Sequence, residues 1–269
     1  MDTLTLREVR KLVGSGTKVA KGAPKVTGVC TDSRSVQAGD LFVCLEGERF
    51  DGHRFAEQAV ADGALAVLAA RPLEGIDHCL VVDDTVATLS ALGRAQVERS
   101  GALVVGITGT NGKTGTKDLT VAALGGSLRT VGSPASYNNQ LGVPLTLLSA
   151  DVHTEAVVAE IGTSALGEIA RLTELARPEI GVITNIHPGH LEGLGSLAGV
   201  RKEKGALLEG LVGRQVSVLN RDDGAWPSLV DLAPGEVYSD TSRKMFTLES
   251  HHSSGLQLQR PHATEKSEE

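Results

Sequence analysis

Gly106–Leu119 reads GITGTNGKTGTKDL and follows the apolar run Ala102–Val105. No other stretch restricts the fold as tightly. A β-branched run entering a glycine-rich turn, with Gly-Lys-Thr opening a helix, is a phosphate cradle. Backbone N–H groups of the turn and of the helix N-terminus point at anionic oxygens. Lys113 can place a point charge on terminal phosphates, and the Thr114 hydroxyl can ligate Mg²⁺. Ile107 stands where the usual template has its first glycine, and the glycines recur every third residue, at Gly106, Gly109 and Gly112. The loop is therefore a variant of that template. The competing reading is a plain strand-to-helix turn with an exposed lysine.

From Ala102 onward the chain alternates strand and helix. Strands are expected over 102–107, 155–160, 180–186 and 215–219, and helices near 112–124, 165–176 and 197–211. That rhythm specifies an α/β fold with a mostly parallel sheet covered by helices on both faces. Ligands of such sheets sit at the carboxyl ends of the strands. Gly106–Thr114, Glu160, Asn185–His190 and Asn220 all fall there. The first 83 residues mix short strands with helices. Strands are expected at Leu41–Leu45, Leu65–Ala69 and Cys79–Val82, a helix over His53–Asp62, and a longer helix over Thr85–Ser100 leading into the second domain. The expected division is 1–84, 85–241 and a disordered tail at 242–269, in which the adjacent His251 and His252 read as solvated rather than metal-binding.

Composition narrows the function. A net charge of −7 and only 3% aromatic residues argue against an electrostatic or base-stacking grip on nucleic acid. Cys30, Cys44 and Cys79 show no C-x-x-C spacing, so they read as small buried thiols. Leu4, Leu6, Val9 and Leu12 among charges suggest a short amphipathic helix rather than a signal peptide. No apolar run approaches membrane-spanning length. The expectation is a cytoplasmic monomer.

Three further segments carry chemistry. In Ser136-Tyr137-Asn138-Asn139-Gln140-Leu141-Gly142-Val143-Pro144 two amides precede a helix that begins near a proline, and Asn138 either hydrogen-bonds a phosphate or substrate or caps that helix. Glu160 closes an apolar strand and is either a metal ligand facing the cradle or an exposed strand-end charge. In Asn185-Ile186-His187-Pro188-Gly189-His190, either imidazole could ligate a metal or cap the loop, and spacing does not choose between them.

Taken in order, TGTNGKT, YNNQLGVPLTLL, AEIG, LARPEIGVITNIHPGHLEGLGS and SVLNRDD resemble the Mur ligases. These are ATP-dependent amide-forming enzymes of peptidoglycan precursor synthesis. The segment GVCTDSRSVQAGDLFVCLEGERFDGHRFAEQAVADGA is similar to the UDP-sugar-binding domain of that family, and the matches span about residues 4–240. NNQLGVPLTLL is most similar to members that add D-Ala-D-Ala to UDP-MurNAc-tripeptide. The resemblance implies that a peptide carboxylate is phosphorylated by ATP to an acyl phosphate, which the incoming amine then attacks. It implies ATP binding by Gly109, Thr110, Asn111, Gly112, Lys113, Thr114 and Gly115, with Asn220 near the nucleotide. It implies Mg²⁺ on Thr114, Glu160 and His190, and Lys204 carried as a carbamate beside the second metal. Lys113, Lys204 and His190 would be catalytic. Thr31, Asp32, Ser33 and Arg34 would meet the UDP moiety, with Asn138 and Asn139 also on the substrate side.

The chain departs from the family pattern in several places. Gly115 replaces a Thr or Ser, which costs the helix start about 0.5–1 kcal/mol relative to Ala. Ala206 stands where a Glu often follows the carbamate lysine. The family's late adenine-binding segment and C-terminal domain have no counterpart here. Two other readings follow: a nucleotide- and UDP-precursor-binding module without ligase activity, or a Mur-type ligase adding the third amino acid. A folylpolyglutamate synthase or small-molecule kinase is disfavoured by the TDSR and DGH segments.

Overall fold

The structure, a computed structural model, describes residues 3–14, 24–47 and 50–240. The expected tail at 242–269, with His251 and His252, lies outside the described residues.

Contacts divide the chain into two compact units: residues 1–102 with 128–157, and residues 103–127 with the chain from 158 onward. In chain order, the first unit begins with β1 (Leu4–Thr5), α1 (Leu6–Leu12), β2 (Lys25–Val26), β3 (Gly28–Cys30) and β4 (Asp40–Val43). It continues through β5 (Glu46–Gly47), β6 (Phe50–Asp51), α2 (Ala56–Ala61), β7 (Ala66–Ala69), β8 (Cys79–Val81) and α3 (Thr85–Ser100). Next come β9 (Leu103–Thr108) and α4 (Lys113–Gly125) of the second unit, then β10 (Thr130–Gly132) and α5 (Gly142–Leu148) of the first. The chain then runs through β11 (Ala156–Glu160), α6 (Glu168–Ala176), β12 (Ile180–Ile183), α7 (Leu191–Leu194) and α8 (Leu197–Glu209). It closes with β13 (Val216–Asn220), α9 (Trp226–Val230) and β14 (Val237–Asp240).

In the first unit a four-stranded parallel sheet has the order β3-β4-β7-β8. Every residue of β4 and β7 is buried, as expected of parallel strands covered on both faces. Leu41, Val43, Leu68 and Leu80 share one core with Leu4, Leu6 and Val9, and also with Leu89, Leu92 and Leu148. Thus α3 and α5 belong to this unit, and the compact unit does not end at residue 84. Gly93 is why the two helices fit. A Cβ there would stand 2.8 Å from the carbonyl oxygen of Pro144, so only glycine lets α5 approach so closely. Gln96 Nε2 then donates to the carbonyl of Ala150 at 2.8 Å. Asp84 caps α3 by accepting from Val86 and Ala87 N–H, and Gly101 ends it in the left-handed region. Cys30, Cys44 and Cys79 are buried free thiols, and burial pushes Cys44 up to about 12.

In the second unit the strands lie in the order β11-β9-β12-β13-β14. The pairs β9–β12, β12–β13 and β13–β14 are all parallel. From β9 the chain places β11 on one side and β12 on the other. The carboxyl end of β9 is thus the topological switch point, where ligands of such sheets bind. Helix α6 buries Ile169, Leu172, Thr173 and Ala176, the one-sided stripe that 3.6-residue periodicity demands. The strand expected over 180–186 ends at Ile183: Thr184 N–H still donates to the Thr108 carbonyl of β9, but the Asn185 carbonyl accepts from Thr110 N–H and Ile186 N–H goes to the Asp223 carboxylate, so the ladder stops. β10, α7 and β14 had no counterpart in the sequence reading; at three or four residues they carry too little periodicity to register.

Candidate active site

The loop after β9 is a braced structure. Gly109 has φ of 150°, and a Cβ there would collide with the Thr184 hydroxyl. Thr184 Oγ1 donates to the Asn111 carbonyl at 2.6 Å, and Asn185 Nδ2 donates to the same oxygen at 3.1 Å. Asn185 Oδ1 accepts from Asn111 N–H at 3.0 Å, while its carbonyl accepts from Thr110 N–H. Thr110 Oγ1 donates to the His187 carbonyl and accepts from His187 N–H. The loop after β12 therefore holds the glycine-rich loop through backbone and amide contacts. His187 takes part through its main chain.

Gly112 sits at the N-cap of α4 with φ of 78°, so the helix opens directly from the loop. As at any helix start, its leading N–H groups have no carbonyl four residues back to bond to. Together with the helix dipole they favour an anion. Lys113 Nζ donates to the carbonyls of Gly109 and Thr110 at 3.0 and 3.2 Å, which holds the ammonium over the loop.

Glu160, 1% exposed at the end of β11, accepts from Thr114 Oγ1 at 2.8 Å. A hydroxyl and a carboxylate side by side are hard oxygen donors, and that set fits Mg²⁺, which takes one or two protein oxygens and fills the rest with phosphate and water. Among the described residues no group of three or more His, Cys, Asp or Glu side chains is placed to hold a metal. His190, in the left-handed region with φ of 50°, occupies the N-cap position of α7 without a side-chain capping bond and lines an open pocket of about 400 Å³ with Ser164, Leu191, Glu192 and Gly193.

Lys204 is 2% exposed. Burial, reinforced by repulsion from the Lys113 ammonium and opposed by Glu203, pulls its amine down to about 8. Charge repulsion between Lys113 and Lys204 thus links a residue of α8 with the loop. Gly115 meets nothing that a Cβ would strike. Asn220 Nδ2 donates to the Thr184 carbonyl at 3.2 Å, and its Oδ1 accepts from Asp222 N–H. Its amide is spent on bracing the loop after β12.

The remaining expected site residues belong to the first unit. Asp32 caps the turn Ser33–Ser35, and the Arg34 guanidinium forks onto its carboxylate, drawing Asp32 down to about 2. Thr31 is half-buried in the same turn. Asn139 Oδ1 accepts from Leu141 and Gly142 N–H, so the contacts to the helix start are made by Asn139, the neighbour of the residue expected to make them. Asn138 is half-buried beside it.

Two carboxylates escaped the sequence reading. Asp223, 7% exposed, accepts from Ile186 N–H at 2.8 Å and Ala225 N–H at 2.8 Å, fixing the loop after β12 from behind. Glu203, 3% exposed, accepts from Gly167 and Ile169 N–H. In Arg-Lys-Glu-Lys-Gly a glutamate looks like an ordinary surface helix charge, and no spacing signal singles it out.

Comparison with known proteins bears on the family and the fold. Residues 107–255 match the Mur ligase middle domain, and residues 25–110 match a Mur ligase family catalytic domain. The UDP-N-acetylmuramoyl-tripeptide–D-alanyl-D-alanine ligase of Bacillus subtilis is 44% identical over 189 residues, 69% of this chain and 41% of that protein. Its Mycobacterium tuberculosis counterpart is 36% identical over 267 residues, 88% and 52% of the two chains. A crystal structure of MurF from Acinetobacter baumannii superposes with a TM-score of 0.82 at 28% identity, over 89% of this chain and 53% of that one. MurF from Thermotoga maritima in complex with ADP gives 0.71 at 29% identity, over 80% and 50%. The chain spans about half the length of the relatives it matches. With the middle-domain match covering more than half of its residues, and a variant phosphate loop at the switch point of a matching fold, this chain belongs to the Mur ligase family.

Proposed function

We propose that this chain binds Mg·ATP at the loop Gly109–Gly115 and serves ATP-dependent amide formation in peptidoglycan precursor synthesis, joining D-Ala-D-Ala to UDP-MurNAc-tripeptide. The observation that carries the proposal is the Thr114–Glu160 pair at 2.8 Å, beside a lysine-bearing anion cradle at the switch point of the sheet. The relatives' names supply the substrate reading.

In this proposal the α4 amides and Lys113 bind and orient the terminal phosphates, so that the catalytic effect is largely positioning and charge neutralisation. Thr114 and Glu160 would hold Mg²⁺, which neutralises phosphate charge when bound. His190 and Lys204 would stand on the side of the carboxylate to be activated. A buried amine with its basicity lowered to about 8 is partly neutral at physiological pH, and the neutral form is what reacts with CO₂ to give a carbamate. Lys204 would then supply anionic oxygens instead of a repelling ammonium. Thr31–Arg34, Asn138 and Asn139 would contact the UDP-linked substrate, with Asn139 also keeping its capping role.

Lys113→Ala removes the charge-assisted contacts to phosphate, each worth about 1.5–3 kcal/mol. Titration calorimetry with Mg·ATP should show affinity falling about 10- to 100-fold. Equal affinities for the parent and the variant would refute the cradle.

A further inference from the structure

The segment Ile161–Gly167 leaves the end of β11 directly after Glu160, on the ligand-facing edge of the sheet. Its backbone is held by two carboxylates. Glu168, in the first turn of α6, reaches back and accepts from Ser164 N–H at 2.6 Å and Ala165 N–H at 3.0 Å, with Ser164 Oγ at 3.2 Å. Burial would raise its pKa, yet these amides and the Thr163 and Ser164 hydroxyls leave it below the usual carboxylate range. Glu203 comes from α8. Its Oε2 accepts from Gly167 N–H at 2.6 Å, its Oε1 accepts from Ile169 N–H at 2.7 Å, and Thr163 Oγ1 lies 3.3 Å from Oε1. Four backbone donors within six residues therefore end on two side chains, one local and one from a different helix.

This arrangement exceeds what helix capping needs. One acceptor normally serves a helix start, and Glu168 already turns back along the chain. The contact from Glu203 spans 36 and 34 residues to Gly167 and Ile169 and anchors the segment to α8, where the next residue is Lys204. Beyond the clamp, Ser164 shares the open pocket of about 400 Å³ with His190, Leu191, Glu192 and Gly193. Gly193 comes so close to the Ser164 carbonyl that a Cβ would overlap it, so the two walls meet without slack.

We propose that Glu203 is a positioning residue which, with Glu168, clamps Thr163–Gly167 as the wall facing His190 in the pocket that receives the carboxylate-bearing peptide end of the UDP-linked substrate. The proposal rests on the ligase reading given above. Glu203 touches no reacting atom; it acts through Ser164 and the backbone around it. A released wall widens the pocket on the peptide side and leaves the phosphate loop, braced by the loop after β12, in place.

The test compares the parent chain with Glu203→Gln and Glu168→Gln by hydrogen exchange and calorimetry. Glutamine keeps the shape but puts an NH₂ donor against backbone donors. If Glu203→Gln does not fold by circular dichroism, Glu168→Gln, whose carboxylate is only half-buried, carries the test. Amide exchange at 164–169 should rise at least tenfold. Affinity for UDP-MurNAc-tripeptide should fall at least fivefold, and affinity for Mg·ATP should stay within twofold. Unchanged exchange at these amides overturns the clamp. Faster exchange with unchanged peptide affinity overturns its role in the pocket, as does an equal loss of Mg·ATP affinity. Failure of the ligase reading looks different: the parent and Lys113→Ala then bind Mg·ATP alike.

Discussion

Gly109→Ala places a methyl group where the loop has no room for one. The residue has φ of 150°, a region that L-residues occupy at a cost of about 1–3 kcal/mol. The new methyl overlaps Thr184 Oγ1 and lies 3.1 Å from Thr184 Cβ and 3.2 Å from Asn185 N. Rotating Thr184 away gives up its 2.6 Å bond to the Asn111 carbonyl, worth about 1 kcal/mol. The backbone nitrogen of Asn185 cannot move without disturbing the paired Thr110–Asn185 contacts. The expected loss is about 2–4 kcal/mol of stability in the second unit. Trp226, the chain's single tryptophan, lies in that unit and reports its unfolding by fluorescence in a urea titration. Because a shift of about 1 Å in positioning groups can cost about a hundredfold in function, Mg·ATP affinity should fall even where the variant remains folded. Gly115→Ala is the internal control. Its Cβ meets nothing within 4 Å, it lies inside α4, and it should hold or raise stability by about 0.5–1 kcal/mol. A Gly109→Ala protein as stable and as competent for Mg·ATP as the parent would refute the account of the loop.

Two further outcomes concern other parts of the chain. Lys204 has its amine lowered from 10.5 to about 8, so the unfolded state binds more protons than the folded one between those values, and the penalty is full below pH 8 and fades as pH rises to 10.5. In CO₂-free buffer Lys204→Met should therefore raise stability at pH 7 by on the order of 1–3 kcal/mol, with the gain shrinking above pH 8, and a gain that grows with pH would contradict the burial. Leu89→Ala, in the core that joins α3 to the first unit, should cost about 2–5 kcal/mol by denaturant titration while leaving Mg·ATP affinity unchanged. A loss below about 0.5 kcal/mol would mean that α3 is not packed there.

Much of the second unit was legible in the residue order. Apolar β-branched runs alternating with amphipathic stretches admit few arrangements other than a parallel sheet with crossover helices. Gly-Lys-Thr after such a run marks the end at which the candidate anion cradle lies. Glu160 was legible for the same reason: a strand's last residue is placed by the strand. The caps of α1 and α3 are local too, with Thr5–Glu8 and Asp84 acting within three residues.

The chain alone could not decide which side chains are consumed in holding others. Asn220 and Asn185 sit near strand ends, where the residue order suggests ligand contacts. Their side chains brace the glycine-rich loop and the loop after β12, and Asp223, which no local signal marks, holds the latter from behind. Glu203 is invisible along the chain because its partners, Gly167 and Ile169, lie 36 and 34 residues away. The unit boundary was hidden for a related reason. Helix α3 is adjacent in sequence to β9, but its apolar face and Gly93 suit α5, about fifty residues on, and burial follows the better-fitting surface. Periodicity specifies which face of an element is apolar. Which other element covers that face, and which polar groups meet there, is settled only when the whole chain competes for the same buried area.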